Sequence, residues 1–360
     1  MATVSDMLPI NTAICSFGLS GEVFHAPLIS SNKGFKLKTI LQRSNDTAKN
    51  TYPNVEIVKD FNEIIADGTI ELVVVNTPNT LHFPMAEAAL NAGKNVVIEK
   101  PFTPTSKEAA KLIEIANAKG LILSVFHNKR LENDFLTLKK ILDHKLVGDA
   151  VTLSWNYDRY RTHITHKNWK EKKVPGAGTL YDLGVHLIDA TLSLLGAPNA
   201  VTAHTRILRN GGESTDYFTI RLDYQQLTVH LSSSTMVREQ GPQLVLHGTL
   251  GSYVKYGTDP QENQLKIGLR PGMNGWGEES SELNGILHTE INGELIREKY
   301  PSVKSCYEHF YTNIFDAIRL KNALMVKPEQ ALLAIQIIEL AEKSNTEHRT
   351  VYLSEHESVS

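Results

Sequence analysis

Short apolar runs alternate with longer amphipathic stretches between residues 10 and 126. The run from Leu72 to Val75 is apolar at every position, which is typical of a strand covered on both faces. The stretch 81–92 has apolar residues at helical spacing and precedes Gly93, a helix-stop signal. We predict strands at 10–15, 37–41, 55–58, 71–76, 95–99 and 121–126, and helices at 21–29, 61–66, 81–92 and 105–119. This alternation predicts a parallel sheet with right-handed crossovers.

The pattern changes near residue 128, where period-2 runs separated by turns such as Asn210-Gly211-Gly212 take over. These runs indicate a mostly antiparallel sheet. We predict strands at 150–157, 200–208, 215–222, 227–233, 244–247 and 252–255, and helices at 133–144, 183–195, 303–321 and 328–344. Residues 258–300 read as loops and hairpins. The expected domains are therefore 1–128 and 129–360, with the C-terminal helices as candidates for packing back on the first domain.

The composition is that of a folded chain of about two domains. Of its 360 residues, 41% are hydrophobic and 21% are charged, which excludes a largely disordered chain, a collagen-like repeat and a disulfide scaffold. The net charge of −3 gives no reason to expect nucleic acid or an anionic membrane as the main partner. Because there are only two cysteines, no signal-peptide pattern and no membrane-length apolar run, we expect a cytoplasmic protein.

A glycine-containing turn joins the first predicted strand to the first helix. It is a G-x-G-x-x-G dinucleotide fingerprint with Ser16 in the first slot. Gly18 would let the backbone approach a pyrophosphate, and Gly21 would allow close packing of helix on strand. An ordinary strand-to-helix turn remains the alternative for so degenerate a motif. The strand before it and the strand–helix units after it favour the cofactor site.

The end of the second strand bears on the choice of cofactor. An acidic residue that binds the ribose 2′-hydroxyl is expected there, yet no Asp or Glu occurs between Gly34 and Asn45. Arg43 and Ser44 could bind a 2′-phosphate instead. The sequence therefore favours NADP over NAD. Arg43 could also stack on the adenine of either cofactor, or be simply solvated.

Two further motifs carry candidate chemistry. Lys100 follows a central strand at the edge where open α/β sheets bind ligands, and its cation could stabilise a developing alkoxide. Asp182 and His186 are four residues apart, a spacing that places them on one helix face. An imidazole suits proton abstraction from an alcohol. The alternatives are a surface lysine, a helix cap at Asp182 and a satisfied core histidine.

Together these motifs resemble the Gfo/Idh/MocA oxidoreductase family. The resemblance runs from about residue 10 to the last helix and is closest to the branch containing NADP-dependent scyllo-inositol dehydrogenases. It rests on the glycine turn, Asn76-Thr77-Pro78-Asn79-Thr80-Leu81-His82, Glu99-Lys100-Pro101, and the stretches 17–21, 23–28, 125–135 and 178–189. It implies an α/β fold: an N-terminal Rossmann doubly wound parallel sheet and a C-terminal α/β domain with a large, mostly antiparallel open sheet.

The resemblance also implies an NAD(P)-dependent dehydrogenase acting on the CH–OH group of a polyol or sugar, with an inositol-like substrate favoured. Lys100, Asp182 and His186 are its expected catalytic residues, with His186 as acid/base and Asp182 as its acidic partner. Expected cofactor contacts are Ser16, Phe17, Gly18, Leu19, Ser20, Gly21, Arg43, Ser44, Thr77, Pro78, Asn79, His82, Glu99, Lys100 and Asn128. Expected substrate contacts are Lys100, Tyr160, Trp169, Asp182 and His186.

Other expectations concern metals, partners and competing functions. His163 and His166 have a spacing seen in metal sites, but no cysteine accompanies them and we expect no metal. The partners expected are a small polyol or sugar and further copies of the chain, as a homo-oligomer (dimer or tetramer), with no nucleic acid and no membrane. A cofactor-sensing regulator without catalysis, an NAD-dependent glycoside hydrolase and a structural or scaffold protein remain alternatives.

Overall fold

The structure is a computed structural model that describes residues 7–164 and 169–357. The chain divides into two compact units, each assembled from three stretches of sequence. The first unit takes Met1–Leu131, Pro260–Gly277 and Cys306–Ala331, and the second takes Glu132–Asp259, Glu278–Ser305 and Leu332–Ser360. The predicted domains, 1–128 and 129–360, are each one continuous segment of sequence. This division into domains stays a prediction.

Strands and helices are numbered here in chain order. The strands are β1 Ile10–Ile14, β2 Phe35–Leu41, β3 Glu56–Val58, β4 Leu72–Val75, β5 Asn95–Ile98, β6 Leu123–Val125, β7 Ala150–Asn156, β8 Ala200–Arg206, β9 Tyr217–Asp223, β10 Thr228–Ser234, β11 Leu244–Gly248, β12 Gly251–Lys255, β13 Gly285–Ile291, β14 Glu294–Tyr300 and β15 Val351–Tyr352. The α-helices are α1 Ala26–Ser30, α2 Phe61–Ala66, α3 His82–Asn91, α4 Ser106–Lys119, α5 Asn133–Asp143, α6 Val185–Leu195, α7 Gln261–Lys266, α8 Glu308–Leu320, α9 Pro328–Glu347 and α10 Ser354–Glu357.

The first unit contains a six-stranded parallel sheet in the order β3-β2-β1-β4-β5-β6. The order reverses between β1 and β4, so the sheet has the switch point at which doubly wound α/β folds bind ligands. All four residues of β4 are buried, as its apolar run predicts. The predicted Rossmann sheet is confirmed.

Local sequence signals place the helix ends of this unit. Thr105 Oγ1 accepts a hydrogen bond from the backbone N–H of Glu108, and the Glu108 carboxylate accepts one from the backbone N–H of Thr105, so α4 begins with a capping box. The helix ends at Gly120, which adopts a φ of 64° that favours glycine. The helix predicted at 105–119 is confirmed by these caps.

A π-helical turn, Ser20–His25, precedes α1, so the helix predicted at 21–29 begins with wider spacing than an α-helix. A second π-helical turn, Leu180–Gly184, precedes α6. Such turns inside longer helices often mark functional sites. Both lie at positions that the sequence singled out for chemistry, the glycine turn and Asp182.

The second unit contains a nine-stranded sheet in the order β14-β13-β12-β11-β7-β10-β9-β8-β15. Its strands pair antiparallel except for β7 and β10, which are parallel. The predicted mostly antiparallel sheet is therefore confirmed. Asn292 and Gly293 connect β13 to β14 with φ values of 53° and 81°, the left-handed pair that a tight two-residue hairpin needs.

Three expectations about elements are wrong in detail. Residues 258–300 include the β13–β14 hairpin but also helix α7, which was not predicted because its six residues hold a single apolar side chain, Leu265. The helix predicted at 303–321 begins only at Glu308, since the backbone N–H of Val303 donates to Thr137 Oγ1 at 2.9 Å and not into a helix. The short strand β15 was also not predicted.

Candidate active site

A cleft of about 440 Å³ opens at the carboxyl ends of the parallel strands of the first unit. Its volume lies within the usual range of ligand cavities. Its lining contains seven residues predicted to contact the cofactor: Ser16, Phe17, Gly18, Arg43, Ser44, Thr77 and Pro78. The rest of the lining is Cys15, Leu41, Gln42, Asn45, Lys59, Asp60, Phe61, Leu81 and Met85.

The glycine turn is held against β4 by direct contacts. Asn76 Nδ2 donates to the carbonyl of Ser16 at 2.9 Å, and the N–H of Gly18 donates to Ser16 Oγ at 3.2 Å. A Cβ on Gly21 would lie 2.1 Å from the Ser16 carbonyl oxygen, so any side chain there would push the helix off the strand. This close approach is what the fingerprint requires of its last glycine.

Two buried polar atoms beside this turn support its fit to a dinucleotide. Among the described residues, no partner hydrogen-bonds to Asn76 Oδ1 or Thr77 Oγ1, although both atoms are buried. Buried polar groups are rarely left in this state unless a water or ligand completes them. The residues present therefore fit a nicotinamide dinucleotide, whose phosphates would lie at the glycine turn and helix start.

The end of β2 is braced by an internal hydrogen-bond network. Gln42 Nε2 donates to Asn45 Oδ1 at 2.6 Å and to Thr47 Oγ1 at 2.9 Å, and Gln42 Oε1 accepts the N–H of Ala48 at 2.9 Å. Arg43 is exposed on this braced loop, and among the described residues none hydrogen-bonds to its guanidinium. Its side chain is thus available to a ligand in the cleft.

Lys59 and Asp60 line the same cleft but were not found from the sequence. They follow β3, which lies beside β2 in the sheet although it is separated from it in sequence. Lys59 Nζ donates to the Asn45 carbonyl at 2.9 Å and pairs with Asp46, while Asp60 caps α2 by accepting the N–H of Asn62 at 2.8 Å. The carboxylates of Asp46 and Asp60 therefore each have a partner within the protein.

Several predicted cofactor contacts lie near the cleft without lining it. Leu19, Ser20 and Gly21 surround the start of the π-helical turn. Asn79 is buried in a 3-10 turn, Asn79–Leu81, and Asn128 is buried in another, Asn128–Leu131. Their cofactor contacts stay predictions.

His82 has a structural environment that the sequence did not indicate. Its ring is fully buried, with Nε2 at 2.9 Å from the Thr77 carbonyl and Nδ1 at 2.9 Å from the Pro101 carbonyl. Burial lowers the pKa of His82. The residue links the loop after β4 to the loop after β5, and it is not among the residues that line the cleft. Its cofactor contact stays a prediction.

Lys100 and Glu99 follow β5 at the same sheet edge, and both are half-buried. Glu99 Oε2 accepts the backbone N–H of Lys100 at 2.9 Å. Burial by itself would raise the pKa of Glu99, but the hydrogen bond from His25, the charge of Lys100 and the hydrogen bond from the Lys100 backbone hold it below its usual value. Glu99 is therefore ionised beside Lys100 at neutral pH.

The second unit has a polar pocket of its own. Its lining is Arg159, Arg161, Lys170, Glu171, Gly178, Thr179, Asp182, Leu183, Arg209, Ser214, Thr215, Ser233, Ser234 and Thr235. Hydroxyls, cations and carboxylates together can bind a polyhydroxylated molecule by donating and accepting hydrogen bonds. Among the described residues the Thr235 hydroxyl is buried with no hydrogen-bond partner.

Asp182 lies in the π-helical turn, and its Oδ1 accepts a hydrogen bond from Lys170 Nζ at 2.6 Å. Lys170 was not singled out in the sequence, because it has no motif of its own. His186 follows one turn later as the second residue of α6 and is 5% exposed. The catalytic roles of Asp182 and His186 stay predictions.

A buried ion-pair network supports the floor of this pocket. The Arg209 guanidinium donates to Glu171 Oε2 at 2.6 Å and to Asp216 Oδ2 at 2.9 Å. Arg209 Nη1 also donates to the backbone carbonyl of His163 at 3.3 Å. Removing one partner of a buried pair typically costs about 3–5 kcal/mol, so Arg209 stabilises the segment that carries Lys170.

Neither Tyr160 nor Trp169 lines the described pocket. The Arg238 guanidinium lies 4.1 Å from the ring centroid of Tyr160, and its Nη2 donates to the Tyr160 hydroxyl at 2.8 Å. Trp169 begins a short 3-10 turn whose next residue, Lys170, does line the pocket. Substrate contact by Tyr160 and Trp169 stays a prediction.

Among the described residues, no group of three or more His, Cys, Asp and Glu side chains is arranged to hold a metal ion. His166 lies outside the described residues. None of the helices at 7–164 and 169–357 combines the length and the apolar character needed to cross a membrane.

Comparison with known proteins identifies relatives along nearly the whole chain. Residues 10–127 match the GFO_IDH_MocA model, described as an oxidoreductase family with an NAD-binding Rossmann fold. Residues 139–353 match the C-terminal alpha/beta domain of the same family. The scyllo-inositol 2-dehydrogenase (NADP(+)) IolW of Bacillus subtilis is 41% identical over 344 residues, 96% of each chain.

Solved structures agree with this relationship. The structure of YvaA from Bacillus subtilis has a TM-score of 0.92 at 40% identity, covering 95% of this chain and 98% of that one. A crystal structure of a Bacteroides fragilis protein has a TM-score of 0.88 at 44% identity, covering 96% of this chain and 100% of that one. Since two models and full-length relatives agree, the chain belongs to the Gfo/Idh/MocA family of oxidoreductases, with an NAD(P)-binding Rossmann domain.

Proposed function

We propose that the protein is an NADP-dependent dehydrogenase that acts reversibly on a hydroxyl carbon of a polyol or sugar, with an inositol-like substrate favoured. The observation that supports this most is the 41% identity, over 96% of both chains, to a relative named as an NADP-dependent scyllo-inositol dehydrogenase. The side chains that line the polar pocket of the second unit include hydroxyls, cations and carboxylates, the groups that hydrogen-bond to a polyhydroxylated ligand. The exposed Arg43 suits the 2′-phosphate of NADP.

In this proposal, His186, Lys100 and Asp182 each have one role in the reaction. His186 accepts the proton of the substrate hydroxyl as the adjacent carbon is oxidised, and returns it in the reverse direction. The ammonium of Lys100 donates a hydrogen bond to the substrate oxygen and stabilises negative charge as it develops. Asp182, four residues before His186, is the acidic partner of this base and also accepts a hydrogen bond from Lys170 at 2.6 Å.

The cofactor supplies the redox chemistry, and the protein binds and orients the cofactor. The nicotinamide, when bound, accepts or returns the hydride. The glycine turn and Thr77 hold and orient the dinucleotide, while Arg43 and Ser44 hold its adenosine end. Of the two carboxylates near Arg43, Asp46 pairs with Lys59 and Asp60 caps α2.

The substrate class is tested with a panel of inositols, aldoses and their keto forms, each assayed with NADP and NAD. We expect an inositol or a closely related polyol to give net reduction of NADP, followed by the absorbance of the reduced nicotinamide. A glycoside hydrolase that recycles its cofactor would release sugar without net reduction. A cofactor-sensing regulator would bind the cofactor and turn over none of the panel, and either result would contradict the proposal.

We also propose that the protein forms a homo-oligomer through the nine-stranded sheet. Along β9 and β10 the side chains alternate between buried and partly or fully exposed, as for Phe218 beside Thr219 and Leu231 beside His230. Most soluble oligomers are symmetric homo-oligomers, and the outward-facing side chains of this sheet would form the self-complementary surface that a two-fold contact needs. Light scattering at micromolar concentration should give a dimer or tetramer, and a monomer would contradict this.

A further inference from the structure

Behind Glu99 lies a chain of hydrogen bonds that neither the motifs nor the proposed chemistry uses. Tyr311 Oη is 2.7 Å from His25 Nδ1, and His25 Nε2 is 3.0 Å from Glu99 Oε1. Glu99 Oε2 accepts the backbone N–H of Lys100 at 2.9 Å. The three side chains come from α8, the π-helical turn and the end of β5, all within the first unit.

The three side chains that form these hydrogen bonds are largely shielded from solvent. The side chains of His25 and Tyr311 are fully buried, and that of Glu99 is 12% exposed. The Phe126 ring lies 4.6 Å from the His25 ring, centroid to centroid, and also contacts Tyr311. Hydrogen bonds to a charged group are stronger in such surroundings than in water, and losing one partner is correspondingly costly.

The direction of the hydrogen bonds follows from the groups present. Burial and the charge of Glu99 raise the pKa of Tyr311 well above its usual value, so its hydroxyl stays protonated and can donate to His25 Nδ1. A neutral imidazole that accepts at Nδ1 carries its proton on Nε2, the nitrogen that faces Glu99. Tyr311 therefore selects the tautomer of His25 that can donate to the carboxylate.

We propose that His25 and Tyr311 are positioning residues that act through Glu99 on Lys100. The inference rests on the proposed function, in which Lys100 contacts the substrate oxygen. Glu99 is tied at both carboxylate oxygens, one to His25 and one to the backbone of Lys100. With this carboxylate oriented, its negative charge stays in a fixed position beside Lys100, whose positive charge interacts with it. Orientation of this kind affects the chemical step more than the binding of cofactor.

Two substitutions of His25 separate its two hydrogen bonds. A glutamine amide reaches about the position of Nε2, so His25→Gln keeps a donor for Glu99. An asparagine amide reaches only about the position of Nδ1, so His25→Asn keeps the contact to Tyr311 and loses the donor to Glu99. His309→Asn serves as the matched control, because His309 is exposed on the same helix as Tyr311.

We expect His25→Asn to lower kcat by about 10- to 100-fold, the scale of a hydrogen bond to a charged group. The KM of the substrate and the Kd of NADP should change by less than about 3-fold, because the His25 side chain is fully buried and does not line the cofactor cleft. The variant His25→Gln should restore most of the lost kcat, and His309→Asn should match the wild type. Equal losses in His25→Gln and His25→Asn, or no loss in either, would overturn the proposal.

A second variant keeps the test decisive if a polar amide at this buried position prevents folding. Tyr311→Phe retains the ring and removes only the hydroxyl that selects the tautomer. We expect it to lower kcat several-fold at unchanged NADP affinity, and wild-type kcat would overturn the role of Tyr311.

Lys100→Ala is assayed in parallel. If Lys100→Ala abolishes turnover while the His25 and Tyr311 variants are fully active, this inference fails and the proposed function stands. If Lys100→Ala is fully active, both fail.

Discussion

Replacing Lys100 or His186 with alanine should lower turnover by at least about 100-fold, the scale of a lost acid or base. The Lys100 ammonium is the only group assigned to stabilise charge on the substrate oxygen, and His186 is the assigned proton acceptor. Neither residue lines the dinucleotide cleft of the first unit, so NADP affinity should change little. Steady-state kinetics with the best substrate of the panel, together with fluorescence titration of NADPH, gives both quantities.

Matched controls exist in each unit. Lys107, exposed in the first turn of α4, is the control for Lys100, and the exposed His144 after α5 is the control for His186. Alanine at either control position should leave kcat and NADPH affinity at wild-type values. Near-wild-type turnover in both Lys100→Ala and His186→Ala would eliminate the mechanism, whichever substrate the panel finds.

Arg43→Ala should weaken NADP binding far more than NAD binding. The two cofactors differ by one phosphate on the adenosine ribose, and the Arg43 guanidinium can form a charge-assisted, bidentate contact with it. Such hydrogen bonds contribute about 1.5–3 kcal/mol, or about 10- to 150-fold in affinity. The loss should be confined to NADP, because the 2′-hydroxyl of NAD offers no charge to pair with Arg43.

Titrations of both cofactors against wild type, Arg43→Ala, Arg43→Lys and Lys36→Ala decide the matter. Arg43→Lys keeps the positive charge but loses the paired N–H donors of the guanidinium. Its NADP affinity should therefore lie between those of the wild type and Arg43→Ala. Lys36 is an exposed cation near the other end of β2, and its removal should have no effect on either affinity. A wild type that prefers NAD, or an Arg43→Ala variant that loses both cofactors equally, would exclude phosphate recognition by Arg43 and would favour stacking on adenine.

The periodic parts of the fold were predictable because their local signals are strong. The apolar run of β4, the capping box at Thr105 and the glycine at residue 120 each specify an element or its end without help from distant residues. Helix α7 lacked such a signal. Its anchors are the Gln261 side-chain atoms, which accept the N–H of Tyr307 at 2.7 Å and donate to the carbonyl of Leu131 at 3.3 Å.

The site divides in the same way between local and distant information. The glycine turn and Arg43 were found because a fingerprint and a strand end are local patterns. Lys59 was not predicted because it follows β3, which only the sheet places beside β2. Lys170 was not predicted because its pairing with Asp182 depends on the folded structure. The contacts of the buried His82 ring with two loop carbonyls were not indicated either, since a motif shows that a residue belongs to a loop but does not show which way its side chain points.

By itself the sequence determined the class of most elements, the parallel and antiparallel characters of the two sheets and the family of the chain. These properties depend on periodicity and short motifs, which neighbouring residues carry. Only the tertiary structure decided which side chains meet. The contact of His25 with Tyr311 joins residues 286 positions apart, and the ion pair of Arg209 with Glu171 joins residues 38 apart. Hydrogen-bond partners and burial depend on packing between distant segments, and no local pattern specifies that packing.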